Sequence, residues 1–248
     1  MGLFDFFRHK PASSTAASSP APAESLGHGF PFAIEVVRAS QAEECLLQGR
    51  KERVVMAAPV ILGEVDAAKR MMEGWEVAFD FDAQLKLAAD TDIVAWFAKA
   101  REEAEEYFDE QEQDEIHANG TAPMTRLCAG CLFHPERTDV IIATIPTDDS
   151  TTIPLHLRFG DWNACPSPHI HTAVARYWRD RFGAEIATVA GGIVEFTVSR
   201  PPSTDKEASE LAMQQYLYCN DIVDQGVGSI ATLGLALRKS TRWYFWWD

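Results

Sequence analysis

The sequence has few basic residues relative to its acidic ones. It contains 22 Lys and Arg against 37 Asp and Glu, which gives a formal net charge of −15 at pH 7. Proteins that bind nucleic acid through the phosphate backbone need clustered Lys and Arg to displace counterions. Because the chain lacks such clusters, its composition argues against a nucleic-acid partner.

The sequence also lacks a long hydrophobic run and a disulfide framework. No apolar segment approaches the roughly 20 residues that cross a bilayer, so we expect no transmembrane segment. Five cysteines are an odd number in a chain of 248 residues, and no N-terminal segment has the residue order of a signal peptide. These absences predict a reducing, cytoplasmic environment.

Common catalytic and cofactor motifs are missing. The chain contains no G-x-S-x-G, no G-x4-G-K-[ST] and no H-E-x-x-H pattern. A G-x-G-x-x-A pattern begins at Gly226, but it follows a predicted helix, whereas the dinucleotide motif follows a strand. Cys128, Cys131 and His134 have zinc-ligand spacing without an evident fourth ligand. We therefore predict no cofactor and no metal.

Composition divides the chain into three parts. Residues 1–29 include a stretch rich in Pro, Ala, Ser and Thr, and they are predicted to form a disordered tail. An N-terminal α/β lobe is predicted over residues 30–150 and a C-terminal domain over residues 151–248. Together the two parts are large enough to form one compact unit with a sizeable core.

Hydrophobic periodicity in the first lobe predicts strands and helices in alternation. Ser40 and Glu43 have the spacing of a capping box that opens a short helix. Further helices are predicted over residues 66–73 and 93–108, and strands over residues 32–37, 53–62 and 139–146.

The C-terminal part predicts the order βαββααβ. Ser167 and Pro168 indicate a helix start, and Thr204 with Glu207 forms a second capping box. The predicted strands cover residues 153–159, 184–189, 193–198 and 243–247, and the last helix covers residues 229–239. The predicted class is α/β (α+β), a mixed sheet with packed helices, and the C-terminal order resembles a ferredoxin-like arrangement.

The segment 160–167 is the first candidate site, since it joins a predicted strand to a helix N-terminus. Backbone N–H groups and the helix dipole favour an anion or a thiolate there, which makes Cys165 the best candidate for a reactive cysteine. Asp161, Trp162 and Asn163 are candidate ligand-binding residues of the same segment. Asp161 and Asn163 are also common turn residues, and the alternative is a structural loop.

His171 is the candidate base. It lies two residues from His169, and residues at that spacing point in nearly opposite directions on a helix, so the two cannot serve one metal. His171 is nearer the apolar face and can act toward Cys165 if the first turn folds back. The alternative is a structural histidine whose hydrogen bonds are satisfied in the core.

The segment 218–226 contributes a second group of candidates. Asp221 and Asp224 share a face if the segment is helical, and either carboxylate can do acid–base work or cap the following helix. Tyr218 and Gln225 are candidate ligand-binding residues. The chain ends in an aromatic strand that is either a core strand or a partly exposed binding surface, with Trp246 as its candidate contact.

The strings WNACP with His171, YCNDIVDQG and WYFWWD resemble the bacterial family catalogued as domain of unknown function 4253. The resemblance is firmest over residues 153–248, and residues 59–63 are similar to an upstream strand of the same family. It implies a cytoplasmic α/β protein with no assigned reaction. The pair Cys128 and Cys131 is not part of the family pattern. At the position of His169, members of the family commonly have an acidic residue.

Two functions are compatible with these features. The leading hypothesis is a non-enzymatic module that binds a protein or a small ligand, with an immunity- or defence-like role as one possibility. The alternative is an enzyme whose cleft lies between the loop 161–166 and the segment 218–226. The enzyme hypothesis uses Cys165 as nucleophile or His171 as base, with Asp221 or Asp224 orienting it. It requires Cys165 and His171 to lie within hydrogen-bond reach.

Overall fold

The computed structural model describes residues 30–52, 56–73, 75, 77–104, 120–131 and 134–247. Its strands are β1 (Ala33–Arg38), β2 (Ala58–Glu64), β3 (Asp139–Ile145), β4 (Ala184–Ala190), β5 (Ile193–Val198) and β6 (Arg242–Trp246). Its helices are α1 (Ala39–Lys51), α2 (Val65–Glu73), α3 (Phe81–Asp90), α4 (Ile93–Glu103), α5 (Ile153–Leu157), α6 (Pro168–Phe182), α7 (Asp205–Tyr218) and α8 (Ile230–Leu237). A π-helical segment, Ile222–Val227, precedes α8. The predicted tail, residues 1–29, lies outside the described residues.

The six described strands form one mixed sheet in the order β1-β3-β2-β4-β5-β6. Neighbours are antiparallel except β2 and β4, which run parallel and meet at Ile61 and Thr188. Strand β2 therefore lies between two strands that follow it in the chain, and residues on both sides of position 150 share the sheet. The predicted α/β class, a mixed sheet with packed helices, is confirmed.

Alternate residues of β2 and β3 face two different hydrophobic cores, as successive strand side chains must. The larger core takes Val60, Leu62, Ile141, Ala143 and Ile145 and packs them with residues of α6 and α7. The smaller core takes Ile61, Val140 and Ile142 and packs them with Ala42 and Leu46 of α1. Burial on both faces explains why these strands are nearly continuous hydrophobic runs.

The predicted strand over residues 153–159 is wrong, because a 3-10 turn (Ser150–Thr152) and helix α5 occupy this region. Pro154 lies in the first turn of α5, where its missing N–H leaves no hydrogen bond unmade. Arg158 ends the helix in the left-handed conformation, with φ of 51°. Neighbouring residues of the run are all buried, a pattern that periodicity alone cannot assign to strand or helix. The ferredoxin-like order loses its first strand, and β2 takes the place beside β4.

The N-terminal capping box is also wrong. Arg38 is the N-cap of α1 and makes no side-chain cap hydrogen bond, so Ser40 lies inside the helix. Glu43 accepts hydrogen bonds from Leu127 N at 2.9 Å and from Nε of Arg242 at 2.8 Å, so distant segments engage its carboxylate in place of the helix N-terminus. Helix α3, which begins at the N-cap Asp80, was not among the predicted elements.

Other predicted elements are confirmed. Helix α6 starts at Pro168, and Thr204 and Glu207 form a reciprocal capping box at the start of α7. Strands β3 to β6 and helix α8 lie within two residues of their predicted ends. Residues 53–55 of the second predicted strand and 105–108 of the predicted helix over 93–108 lie outside the described residues. No helix in the described part of the chain combines the length and apolar character needed to cross a bilayer.

Candidate active site

The loop between α5 and α6 has a backbone that is costly for most residues. Gly160, Asp161 and Asn163 have φ of 120°, 69° and 46°, values in the positive region that side chains with a Cβ disfavour. The loop closes on itself, since Cys165 N donates to Trp162 O at 2.8 Å. These constraints fix the position of Cys165 ahead of helix α6.

Gly160 brings the loop backbone against the imidazole of His171. A Cβ at this position would lie 2.0 Å from Pro166 O and 3.1 Å from Nε2 of His171. No side chain fits in that space. The glycine is therefore required both by its φ and by the close approach of loop and ring.

His171 lies in the first turn of α6 and points into the larger core. Its backbone N–H donates to Ser167 O at 3.1 Å, and the residue is 1% exposed. Its Nε2 lies 3.4 Å from Sγ of Cys165, and its Nδ1 lies 2.5 Å from Oη of Tyr218. The structure thus brings a thiol, an imidazole and a phenol into one hydrogen-bonded chain.

Aromatic rings surround these three hydrogen-bonded side chains. The ring of His171 lies 5.1 Å from Phe159, 5.4 Å from Tyr218 and 5.3 Å from Trp247, measured between centroids. Trp162 is half-buried and packs edge-on against Phe159 at 4.9 Å. The polar atoms therefore lie in an apolar setting, in which hydrogen bonds and charges interact more strongly than in water.

Burial sets the protonation of the site. It lowers the pKa of His171 to about 3, although the Pro166 carbonyl offsets part of this shift. Burial also raises the pKa of the Cys165 thiol, with further contributions from Cys219 and Asp161. The pKa of Tyr218 is raised well above its usual value by the same cause. Desolvation is the largest cause for each group, and it favours the neutral form of all three.

The neutral imidazole can accept the thiol proton in one of its two tautomers. When Nδ1–H donates to Oη of Tyr218, Nε2 has a lone pair directed at Sγ–H of Cys165. The opposite tautomer, with Tyr218 donating to Nδ1, leaves Nε2–H to donate to the sulfur. Tyr218 is thus the side chain whose hydrogen bond determines whether His171 can act as a base.

Several candidate residues lie away from the hydrogen-bonded side chains of Cys165, His171 and Tyr218. Gln225 Nε2 donates to Oδ1 of Asp221 at 2.9 Å, and Asn220 Nδ2 donates to Oδ2 of Asp224 at 3.1 Å. The structure does not bring either carboxylate to His171, because both face their neighbours along the π-helical segment. Tyr218 occupies the orienting position that the sequence had assigned to an acid.

The remaining candidates are exposed or half-buried. Asp161 and Asn163 are exposed on the loop, and Trp246 is half-buried on the edge strand β6. The Trp246 carbonyl accepts a hydrogen bond from Sγ of Cys219 at 2.9 Å. Burial raises the pKa of that second thiol to about 12.

A buried carboxylate that sequence reasoning missed lies in strand β5. Glu195 is fully buried and accepts hydrogen bonds from the backbone N–H groups of Cys128 at 2.7 Å and Ala129 at 3.0 Å. Burial raises its pKa. An acidic residue inside an otherwise uncharged, mostly apolar strand was the available signal. Glu195 anchors the segment 120–131 on the sheet.

Within the described ranges, no three His, Cys, Asp or Glu side chains are grouped closely enough to hold a metal ion. Cys128 and Cys131 lie in a tight turn, in which Cys131 N donates to Cys128 O at 3.0 Å. Their spacing therefore reflects this turn, which presents two backbone N–H groups to Glu195.

Comparison with known proteins gives one match. Residues 141–248 match a family model described as a domain of unknown function (DUF4253). The matched region includes Cys165, His171, Tyr218 and Trp247. No curated protein and no solved structure matches the chain.

Proposed function

We propose a function from the site itself: a thiol enzyme. The family model that residues 141–248 match describes a domain of unknown function and assigns no reaction. Cys165 is the nucleophile and His171 is the general base. The supporting observation is the hydrogen-bonded chain, with 3.4 Å from Sγ to Nε2 and 2.5 Å from Nδ1 to Oη of Tyr218. Covalent catalysis commonly uses a nucleophile hydrogen-bonded to a base, which a third group holds in position.

The proposed chemistry starts from neutral groups. As sulfur attacks an electrophile, the thiol proton passes to Nε2, and the imidazolium donates through Nδ1 to Tyr218. The Pro166 carbonyl stabilises the protonated ring, since it raises the pKa of His171. A reducing compartment such as the cytoplasm would keep Cys165 as the thiol found here.

Access to Cys165 requires a local movement, because the residue is only 5% exposed. Trp162 is the half-buried side chain of the covering loop, and positive φ values at Asp161 and Asn163 are unfavourable in the closed state. We assign the loop 160–164 the role of a cover that opens to admit substrate. This movement leaves helix α6 and His171 in place.

Alkylation of Cys165 by iodoacetamide, followed residue by residue with mass spectrometry, tests the proposal. Half-buried Cys45 on α1 serves as an internal comparison, and Cys219, 1% exposed, reports any general opening. We expect Cys165 to react faster than Cys219. His171→Gln should slow Cys165 about 10²-fold without changing Cys45, because the base is lost.

Tyr218→Phe should give a smaller decrease, since the ring packing stays and only the hydroxyl is removed. Faster labelling of Cys219 in either variant would show that the variant is partly unfolded, and its Cys165 rate would then not be compared with that of the wild type. A Cys165 that is inert in the native protein, or that reacts equally fast in all three proteins, would rule out the thiol-enzyme proposal.

A non-enzymatic binding module is the second candidate, and the closed, uncharged state of the site favours it. In that case the thiol–imidazole–phenol chain only satisfies buried polar groups, as interiors require. The ligand would then bind elsewhere, with half-buried Trp246 as the first residue to replace, and a defence-like role is one version of this function. An inert Cys165 together with ligand capture lost in Trp246→Ala would favour it.

A further inference from the structure

Trp247 follows strand β6 and packs against the site. Its ring lies 5.3 Å from that of His171 and 5.2 Å from that of Tyr218, nearly perpendicular to both. The residue is 4% exposed. Its backbone N–H donates to Gly192 O at 3.0 Å, which fixes the start of the side chain.

The indole N–H of Trp247 is buried and has no hydrogen-bond partner among the described residues. A buried donor without an acceptor is destabilising, and native proteins keep few of them. This donor belongs to a ring in contact with both the proposed base and its orienting phenol. The ring packed against the site thus carries a buried donor that a bound ligand can use.

We propose that the indole N–H of Trp247 binds the carbonyl oxygen of an acyl substrate, and that the electrophile attacked by Cys165 is an ester or a thioester. This inference rests on the proposed function and names its substrate class. A carbonyl oxygen gains negative charge when sulfur adds to its carbon, so a fixed donor stabilises the transition state more than the ground state.

The step balances within the site and the substrate. The S–C bond forms as Sγ–H gives its proton to Nε2, and the carbonyl electron pair moves to the oxygen that accepts from Trp247. Collapse re-forms the C=O bond and expels the alkoxide or thiolate, which takes the proton back from Nε2–H. Water then hydrolyses the thioester on Cys165, with His171 again as base.

Trp243, within strand β6, provides a matched control. It is 2% exposed, and its indole N–H likewise has no partner among the described residues. Its ring packs on Trp178 and Phe182 instead of on the site. Replacing either tryptophan by Phe removes one buried donor, but only Trp247→Phe removes it from a ring packed against His171 and Tyr218.

The test compares two reactions of Cys165 in the full-length protein, after subtraction of the Cys165→Ser background. The first probe is p-nitrophenyl acetate, an activated ester whose oxygen becomes negative during attack. The second is an aromatic disulfide, in which no carbonyl is present. We expect Trp247→Phe to slow acylation about 10²-fold, to leave disulfide exchange unchanged, and Trp243→Phe to alter neither rate.

A second measurement needs no variant. The thiono analogue of the ester carries sulfur in place of the carbonyl oxygen, and sulfur is a weak acceptor. We expect the wild-type protein to prefer the oxygen ester more strongly than a small free thiol does. An equal preference would contradict the proposed donor, even if Trp247→Phe does not fold.

The remaining outcomes separate this inference from the proposed function. Disulfide exchange without acylation in the wild type would keep Cys165 as a nucleophile and overturn the acyl substrate. Equal slowing of both reactions by Trp247→Phe would make Trp247 a packing residue and also overturn the inference. No reaction of Cys165 with either probe would overturn both proposals.

Discussion

Burial governs the chemistry of individual residues in this protein. It lowers the pKa of His171 and raises those of Cys165, Tyr218 and Glu195, and in every case the neutral form is favoured. A site of neutral groups needs no buried counter-ion. The charge separation that catalysis requires then arises only while a substrate occupies the site.

The lowered pKa of His171 predicts acid sensitivity. Its pKa is about 3 in the folded protein, whereas the ordinary pKa of a histidine exposed to water is 6.5. Between these values the unfolded chain binds a proton that the native chain does not. The stabilisation is therefore present above about pH 6.5 and is lost as the pH falls, by about 1.4 kcal/mol per pH unit.

Urea unfolding of the wild type and of His171→Gln at several pH values checks this prediction. The free-energy difference between the two proteins should shrink as the pH falls from about 6.5, because the variant cannot bind the proton. Other titrating groups, such as His156 and Glu195, contribute to both proteins and cancel. A difference that stays constant over this range would contradict the lowered pKa.

At the scale of elements, the loop 160–166 is held by its approach to helix α6. Gly160→Ala should reduce the free energy of unfolding by about 3 kcal/mol, because the new methyl meets Pro166 O and the φ of 120° is unfavourable. Gly191→Ala is the matched control, since its φ is also positive but nothing lies within 4 Å. It should cost only about 1–2 kcal/mol. Equal losses in urea unfolding would show that the close approach contributes nothing.

Elements that neighbouring residues determine could be predicted from the sequence. The predictions were wrong where the structure depends on residues far away in the chain. The start of α6 and the capping box of α7 follow from neighbouring residues alone. The buried run 153–159 has no period that separates strand from helix. The strand that pairs with β4 is β2, which lies far earlier in the chain. Likewise, Ser40 and Glu43 have capping spacing, but Arg242 engages the carboxylate from the far end of the chain.

The same distinction applies to the site. Cys165 and His171 are six residues apart across a helix start, so their proximity could be predicted from local geometry. Tyr218 reaches His171 from the end of another helix, and Trp247 from beyond the last strand. No spacing rule connects these positions. The carboxylates Asp221 and Asp224 had a recognisable spacing, but they bond within their own segment.

At the scale of the whole molecule, the family match and the sheet have different boundaries. Residues 141–248 contain β4, β5, β6 and most of β3. Strand β2, which separates β3 from β4 in the sheet, lies outside this range. The matched region therefore lacks the strand that covers one edge of β4 and joins it to β3.

This arrangement predicts that residues 141–248 do not fold alone. The isolated fragment should show no cooperative thermal unfolding by circular dichroism, because β4 has an open edge and β3 has no partner. A fragment of residues 30–248 keeps all six described strands and should unfold like the full chain. Cooperative unfolding of the shorter fragment at the same temperature would contradict the prediction.

The central position of β2 has a consequence for how the chain reaches its native state. At synthesis rates of about 5–20 residues per second, β2 leaves the ribosome several seconds before β4 exists. Strand β3 is made before β4 and can pair with one edge of β2, but the other edge of this apolar strand has no native neighbour until β4 is made. Pairings between distant segments also give a high contact order, for which folding takes milliseconds to seconds. The nascent chain can therefore form incorrect strand pairs during the seconds before the sheet is complete.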